Sequence, residues 1–132
     1  MEKNVIMVLV GIAVALLFVF KTNLFSGEDG FKSISSTELK ELIKSKKVEL
    51  IDVRTKSEID EGYIKGTKMF IDYNSSEFDT KTLKLDKSKT YAVYCKSGGR
   101  SSGAAKFMAK NGFTNVLNLK GGITGWDGEI SK

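Results

Sequence analysis

Histidine and proline are absent from this 132-residue chain, cysteine and tryptophan occur once each, and of its 21 basic residues only Arg54 and Arg100 are arginine. Each scarcity removes a class of chemistry. With Cys95 alone there is no internal disulfide, no Cys-x-x-Cys redox pair, no thiolate cage for zinc and no lipid-attachment cysteine behind the N-terminal apolar run. Without histidine the usual nitrogen ligand of metals is missing, and so is the imidazole base of Cys-His and Ser-His hydrolases. A nucleophile in this chain must be activated by fixed dipoles or by cations. The net charge of +5 rests on scattered lysines with acids between them. No basic run is interleaved with aromatics, which describes a solvated face and argues against nucleic acid as a partner.

What is present begins with Val5 to Phe20, sixteen residues without a charged or strongly polar side chain. The run exceeds the usual core of a signal peptide, falls short of the roughly 20 residues of a comfortable span, and is apolar all round. It reads as an N-terminal hydrophobic helix that makes residues 1–25 a membrane anchor, in preference to a cleaved signal. No small-x-small pattern follows Phe20, and the stem of Lys21 can snorkel. Lys3 and Lys21 compete over orientation. So short a leading flank places the rest of the chain outside the cytoplasm, in a bacterial periplasm or at the cell surface. Residues 26–30 (SGEDG) are a polar linker, and residues 31–132 form one domain.

Within that domain Ser35 and Glu38 have capping-box spacing, and Leu39, Leu42 and Ile43 continue an apolar stripe at helical period. Residues 48–53 read as a strand, residues 55–61 as a short helix stopped by Gly62, and residues 69–71 as a second strand. Residues 72–89 read mostly as loop with one helical turn. Residues 91–94 form a third strand, residues 101–111 a helix with Gly112 at its left-handed C-terminal position, and residues 116–119 a fourth strand. This alternation predicts an α/β fold with a central, mostly parallel sheet flanked by helices.

The third strand delivers Cys95 into the run CKSGGRS. That places the thiol at the carboxyl edge of the sheet, where open α/β folds bind ligands. Successive amides of a tight loop, together with the first turn of the following helix, form a nest that favours thiolate over thiol. An arginine five positions on, across Gly98 and Gly99, offers a planar guanidinium to an anion. A small buried thiol beside a solvated arginine is the plain alternative.

IDVRTKSEIDEGYIKGT, CKSGGRS and GGITGW, in this order and spacing over residues 34–127, resemble the three signature segments of the single-domain rhodaneses, the family of persulfide-forming sulfurtransferases. The resemblance implies a rhodanese-like fold and an active-site loop at residues 95–101. It also implies that Cys95 takes the outer sulfur of a small anionic donor such as thiosulfate, and that Arg100 and Lys96 supply positive charge. Ser97, Gly98, Gly99 and Ser101 would bind the transferred sulfur through the loop, and no cofactor or metal is called for. Without a second cysteine the acceptor is external: cyanide, a small thiol or a protein thiol. Loops that handle phosphate or arsenate usually place one more residue between Cys and Arg, so this shorter loop points to sulfur rather than to a phosphatase or arsenate reductase. A tethered sulfur carrier, a binding or sensory module without turnover, and a structural adaptor stay open as alternatives.

Four residues are read as supporting. Asp52 is a candidate to hold the loop through its backbone N–H groups. Arg54 and Glu58, four apart, are placed to pair on one helical face. Trp126 covers one end of the core. Tyr63 stands where the family commonly has histidine and Thr67 where it commonly has alanine, which puts the packing of that turn in question more than the chemistry.

Overall fold

Runs such as Tyr91–Tyr94 and Val116–Leu119 carry mainly apolar side chains at successive positions, and strands of that kind are satisfied only between two layers. The computed structural model, which describes residues 29–132, has both layers. The anchor expected over residues 1–25 and the start of the linker over residues 26–30 lie outside the described residues. Among the described residues no helix is long and apolar enough to cross a membrane.

In chain order the elements are β1 (Lys32–Ile34), α1 (Ser36–Lys44), β2 (Glu49–Asp52), α2 (Lys56–Asp60), β3 (Tyr63–Ile64), β4 (Met69–Phe70), α3 (Phe78–Leu83), β5 (Thr90–Tyr94), α4 (Gly99–Lys110), β6 (Asn115–Leu119), a 3-10 turn (Ile123–Gly125) and β7 (Ile130–Ser131). Five strands lie in the order β1-β6-β5-β2-β4, each pair parallel. The short β3 and β7 pair antiparallel apart from that sheet. Alternation along the strands sorts the core into two sides. Ile51, Val53, Tyr91, Val93, Cys95 and Val116 pack with Phe78 of α3 and with Ala104, Ala105 and Met108 of α4. Leu50, Ala92, Tyr94, Leu117 and Leu119 pack with Leu39 of α1, and Trp126 lies against this second cluster.

The expected α/β architecture is present, with differences that have local causes. β1, β3 and β7 were not anticipated, because each has two or three residues and no apolar run; β1 exists through its pairing with β6. Residues 72–89 hold α3, which buries Phe78 and Thr82. The helix expected over residues 101–111 begins at Gly99, directly after the left-handed Gly98. Its end agrees with expectation, since Gly112 has φ 92°. Thr67 departs from the family pattern without leaving its hydroxyl unpaired: Thr67 Oγ1 donates to the Ile64 carbonyl at 2.7 Å and lies 2.8 Å from the Tyr94 hydroxyl. Tyr63 meets Phe70 edge-on, ring centres 5.1 Å apart.

The largest correction concerns Asp52. It follows Leu50 on the α1 side of the sheet, opposite the Cys95 side chain, so it cannot hold the Cys95 loop. Its carboxylate instead binds Arg54, taking the Arg54 amide and Nε on Oδ1 at 3.0 Å each and Nη2 on Oδ2 at 2.8 Å. Arg54 Nη2 also donates to the Gly62 carbonyl at 2.7 Å, and Nη1 to the backbone oxygen of Glu58 at 3.4 Å. The expected Arg54–Glu58 side-chain pair is thereby replaced by Arg54–Asp52. Both partners are buried, Asp52 at 0% and Arg54 at 5% exposure. Removing one partner strands the other charge. Asp52→Ala is expected to lower the unfolding free energy by about 3–5 kcal/mol, read as a shift of the urea midpoint.

Candidate active site

β5 ends at Tyr94, and the next residue, Cys95, has a side chain only 1% exposed. The chain must then turn its amides toward sulfur and its carbonyls away. Two later residues take those carbonyls: Ile123 N donates to Cys95 O at 2.9 Å, and Thr124 N to Lys96 O at 3.0 Å. Gly122 makes this approach possible. It has φ 58°, and a side chain there would collide with the Lys96 carbonyl and stand 2.6 Å from the Cys95 oxygen. The GGITGW segment is therefore the back wall of the cysteine loop.

With the carbonyls drawn off, the Gly98 amide donates to Cys95 Sγ at 3.1 Å, and the Ser101 hydroxyl lies 3.4 Å from the sulfur. Gly98 sits at φ 115°, which turns its N–H inward. Burial by itself pushes the Cys95 thiol up. The Ser101 hydroxyl and the amides of Ser101, Gly98 and Ser97 outweigh it and hold the thiol below its ordinary value. The activation without imidazole anticipated from the sequence has this structural form.

Arg100, in the first turn of α4, donates Nη1 to Glu58 Oε1 at 2.7 Å and Nη2 to Glu58 Oε2 at 2.9 Å. The anion it grips belongs to the chain itself. Glu58 also closes the capping box of α2, accepting from Thr55 Oγ1 at 3.0 Å. Chiefly through the Arg100 hydrogen bonds, its carboxyl is held down at about 2. Lys96 is exposed and lies with Arg54, Glu58, Thr124 and Trp126 around a groove of about 360 Å³. Trp126 therefore lines a surface beside the loop as well as backing the α1-side core.

Of the residues read from the sequence, the structure gathers Cys95, Ser97, Gly98 and Ser101 at the sulfur, with Arg100 and Glu58 adjoining them. Gly99 opens α4, and a Cβ there would meet nothing within 4 Å. Asp52 is buried on the α1 side of the sheet, and Arg54, paired with it, reaches the groove that Lys96 and Glu58 line. Sequence reading missed Asn118, which is 4% exposed and whose Oδ1 accepts from Ser101 Oγ at 2.6 Å. Its signal was present as a polar residue inside the apolar strand VLNL.

A buried sulfur cradled by donors at the carboxyl edge of a parallel sheet is a setting that favours the ionised form of a thiol. Residues 35–129 match the model of the rhodanese-like domain, and the chain belongs to that family. It is 37% identical over 99 residues to "Putative sulfurtransferase YtwF" of Bacillus subtilis, a match spanning 74% of this chain and 92% of that protein. It is 28% identical over 102 residues to the thiosulfate sulfurtransferase GlpE of Pseudoalteromonas translucida, spanning 77% of this chain and 94% of the relative. The crystal structure of a rhodanese-related protein from Thermoplasma volcanium superposes with TM-score 0.68 at 32% identity, covering 76% of this chain and 98% of that one.

The two loop glycines are expected to respond differently. Gly98→Ala forces a side chain into a left-handed conformation, costing on the order of 1–3 kcal/mol, and raises the apparent pKa of Cys95 in alkylation against pH. Gly99→Ala, at a helical position with open space, leaves both the unfolding midpoint and that pKa within about 1 kcal/mol or its equivalent. For Glu58 the folded value lies below the unfolded one, so its ionised form adds stability above the ordinary carboxyl value, and that stability is lost as pH falls toward about 2. The stability gap between wild type and Glu58→Gln, measured by urea unfolding, is expected to be full at neutral pH and to close through the acid range.

Proposed function

We propose that this chain is a sulfurtransferase in which Cys95 carries sulfane sulfur as a persulfide from thiosulfate or a persulfide donor to an external acceptor. The observation that carries the reading is the short loop from Cys95 to Arg100, where the Ser97 and Gly98 amides and the following Ser101 converge on Cys95 Sγ. In the first half-reaction the Cys95 thiolate attacks the outer sulfur of the donor. A new S–S bond forms on Cys95 while the donor's S–S or S–S(O) bond breaks, and sulfite or the donor thiolate departs with the electron pair. In the second, an acceptor thiolate or cyanide attacks the terminal sulfur, and Cys95 leaves as thiolate. Stabilising that leaving thiolate is the task the loop amides and Ser101 are suited to.

Because Arg100 is already matched by Glu58, an anionic donor draws mainly on loop amides and on Lys96. Thiosulfate, polysulfides and small persulfides all fit this description. The relatives named as sulfurtransferases support the same reading. Val5 to Phe20 is proposed to tether the chain to a membrane with the domain outside the cytoplasm, where a small thiol or a protein thiol serves as acceptor. A carrier or sensor that loads sulfur without turnover is the second reading, favoured by the burial of Cys95.

Mass spectrometry of the full chain after incubation with thiosulfate, polysulfide or glutathione persulfide is expected to show one added sulfur on Cys95, and none in Cys95→Ser. Repeated cycles in excess cyanide identify an enzyme, and a single retained sulfur identifies a carrier. Loading by no donor, with hydrolysis of an aryl phosphate instead, overturns the proposal.

A further inference from the structure

Behind Ser101 lies a buried amide side chain, Asn118, whose hydrogen bonds go to Ser101 and other serines and not to the sulfur itself. Asn118 stands on β6, and the register Val93↔Asn118 sets it beside the end of β5. By strand alternation it shares the α4-facing side with Val116 and Cys95, in a position where an apolar residue would complete the core. Its Oδ1 lies 2.6 Å from Ser101 Oγ, and its Nδ2 donates to Ser102 Oγ at 3.2 Å and Ser33 Oγ at 3.4 Å. Ser101, fully buried, has one hydroxyl hydrogen and three acceptors within reach: Asn118 Oδ1, the Gly98 carbonyl at 3.2 Å and Cys95 Sγ at 3.4 Å. The shortest of these contacts is to Asn118.

We propose that Asn118 is a positioning residue that competes with Cys95 for the single hydroxyl proton of Ser101. While Cys95 is a thiol, Ser101 donates to Asn118 Oδ1 and its oxygen accepts the S–H. When Cys95 ionises, the hydroxyl rotates from the amide oxygen to the thiolate, because a charged acceptor forms the stronger bond. The rotation forfeits the Asn118 contact, so the amide oxygen tempers how far the cradle favours thiolate. On the sulfur-transfer reading, on which this consequence rests, loading Cys95 removes the thiolate and the proton returns to Asn118. It swings back as Cys95 leaves in the second half-reaction. The competition itself needs only a thiol and a thiolate.

The charged groups around Cys95 stay constant in this comparison. Arg100 of α4 is the cation whose charge couples to the sulfur, and it is matched by Glu58 of α2 and felt by Asp72 beyond β4. Asp52, at the end of β2, is neutralised by Arg54, which lines the groove beside Lys96 and Glu58. Lys96 is exposed at the groove it shares with Glu58.

The test is the rate of Cys95 alkylation by iodoacetamide against pH in the full chain. Asn118→Leu removes the rival acceptor and is expected to lower the apparent pKa, raising the rate about 3- to 10-fold at a pH below it. Ser101→Ala is expected to raise the apparent pKa, and the double variant to match Ser101→Ala alone. If Asn118→Leu does not fold, Asn118→Ala, which likewise lacks the rival acceptor and is smaller than asparagine, is expected to shift the pKa in the same direction. An unchanged or raised pKa in the folded Asn118 variant, or a shift that persists without Ser101, overturns the proposal. Sulfur loading measured on the same samples separates this outcome from failure of the sulfurtransferase reading, because the thiol titrates whether or not a donor reacts.

Discussion

The orientation of the peptide units between Cys95 and Ser101 is the constraint from which the site follows. A thiol held below its ordinary value despite burial requires that no carbonyl dipole point at the sulfur, since the chain has no imidazolium to offset one. The loop carbonyls must therefore find donors on the far side. Ile123 and Thr124 provide them, Gly122 clears the approach, and Gly98 supplies the backbone conformation that turns an amide inward. The cradle is as much a property of the residues that take the carbonyls as of the residues that touch sulfur.

The three sequence segments are then parts of one assembly with separable tasks. The first contributes Glu58, which fixes Arg100 and with it the first turn of α4. The second contributes the nucleophile and its donors. The third is the wall that holds the second in register. Their distances along the chain say nothing of this: Arg100 and Glu58 are 42 residues apart, and a bidentate ion pair joins them. Glu58 can act so far away because its own helix is closed by a capping box that uses the same carboxylate.

What could be read from the sequence, and what could not, divides along the same line. Contiguous features were legible: the Cys95 loop between an apolar strand and a helix, the Ser35–Glu38 helix start, the short helix after residue 55, and Gly112 as a terminator. Features created by tertiary pairing were not. β1 has two exposed residues of its three and becomes a strand only against β6, while β3 and β7 define each other from stretches far apart in the chain. Asp52 was assigned to the correct segment but to the wrong face, since a strand reading without register does not say which neighbour its side chain meets. Asn118 was passed over because one polar residue in an apolar strand reads as noise until Ser101 is seen opposite it.

Arginine scarcity takes a different meaning in this light. A guanidinium five positions from a lone thiol suggests a clamp for an incoming anion, yet both arginines of the chain are engaged by its own carboxylates, Arg54 by Asp52 and Arg100 by Glu58. Each makes a planar, multidentate contact that a lysine could not reproduce, which explains why arginine stands at these two positions in a chain that otherwise uses lysine. The charge near Cys95 is thus closed within the protein, and neutral N–H and O–H donors supply the stabilisation of sulfur. Such donors distinguish a bare thiolate from a persulfide by where negative charge sits and not by how much there is. That selectivity is what the proposed sulfur transfer asks of the site, since there the nucleophile must also be the leaving group.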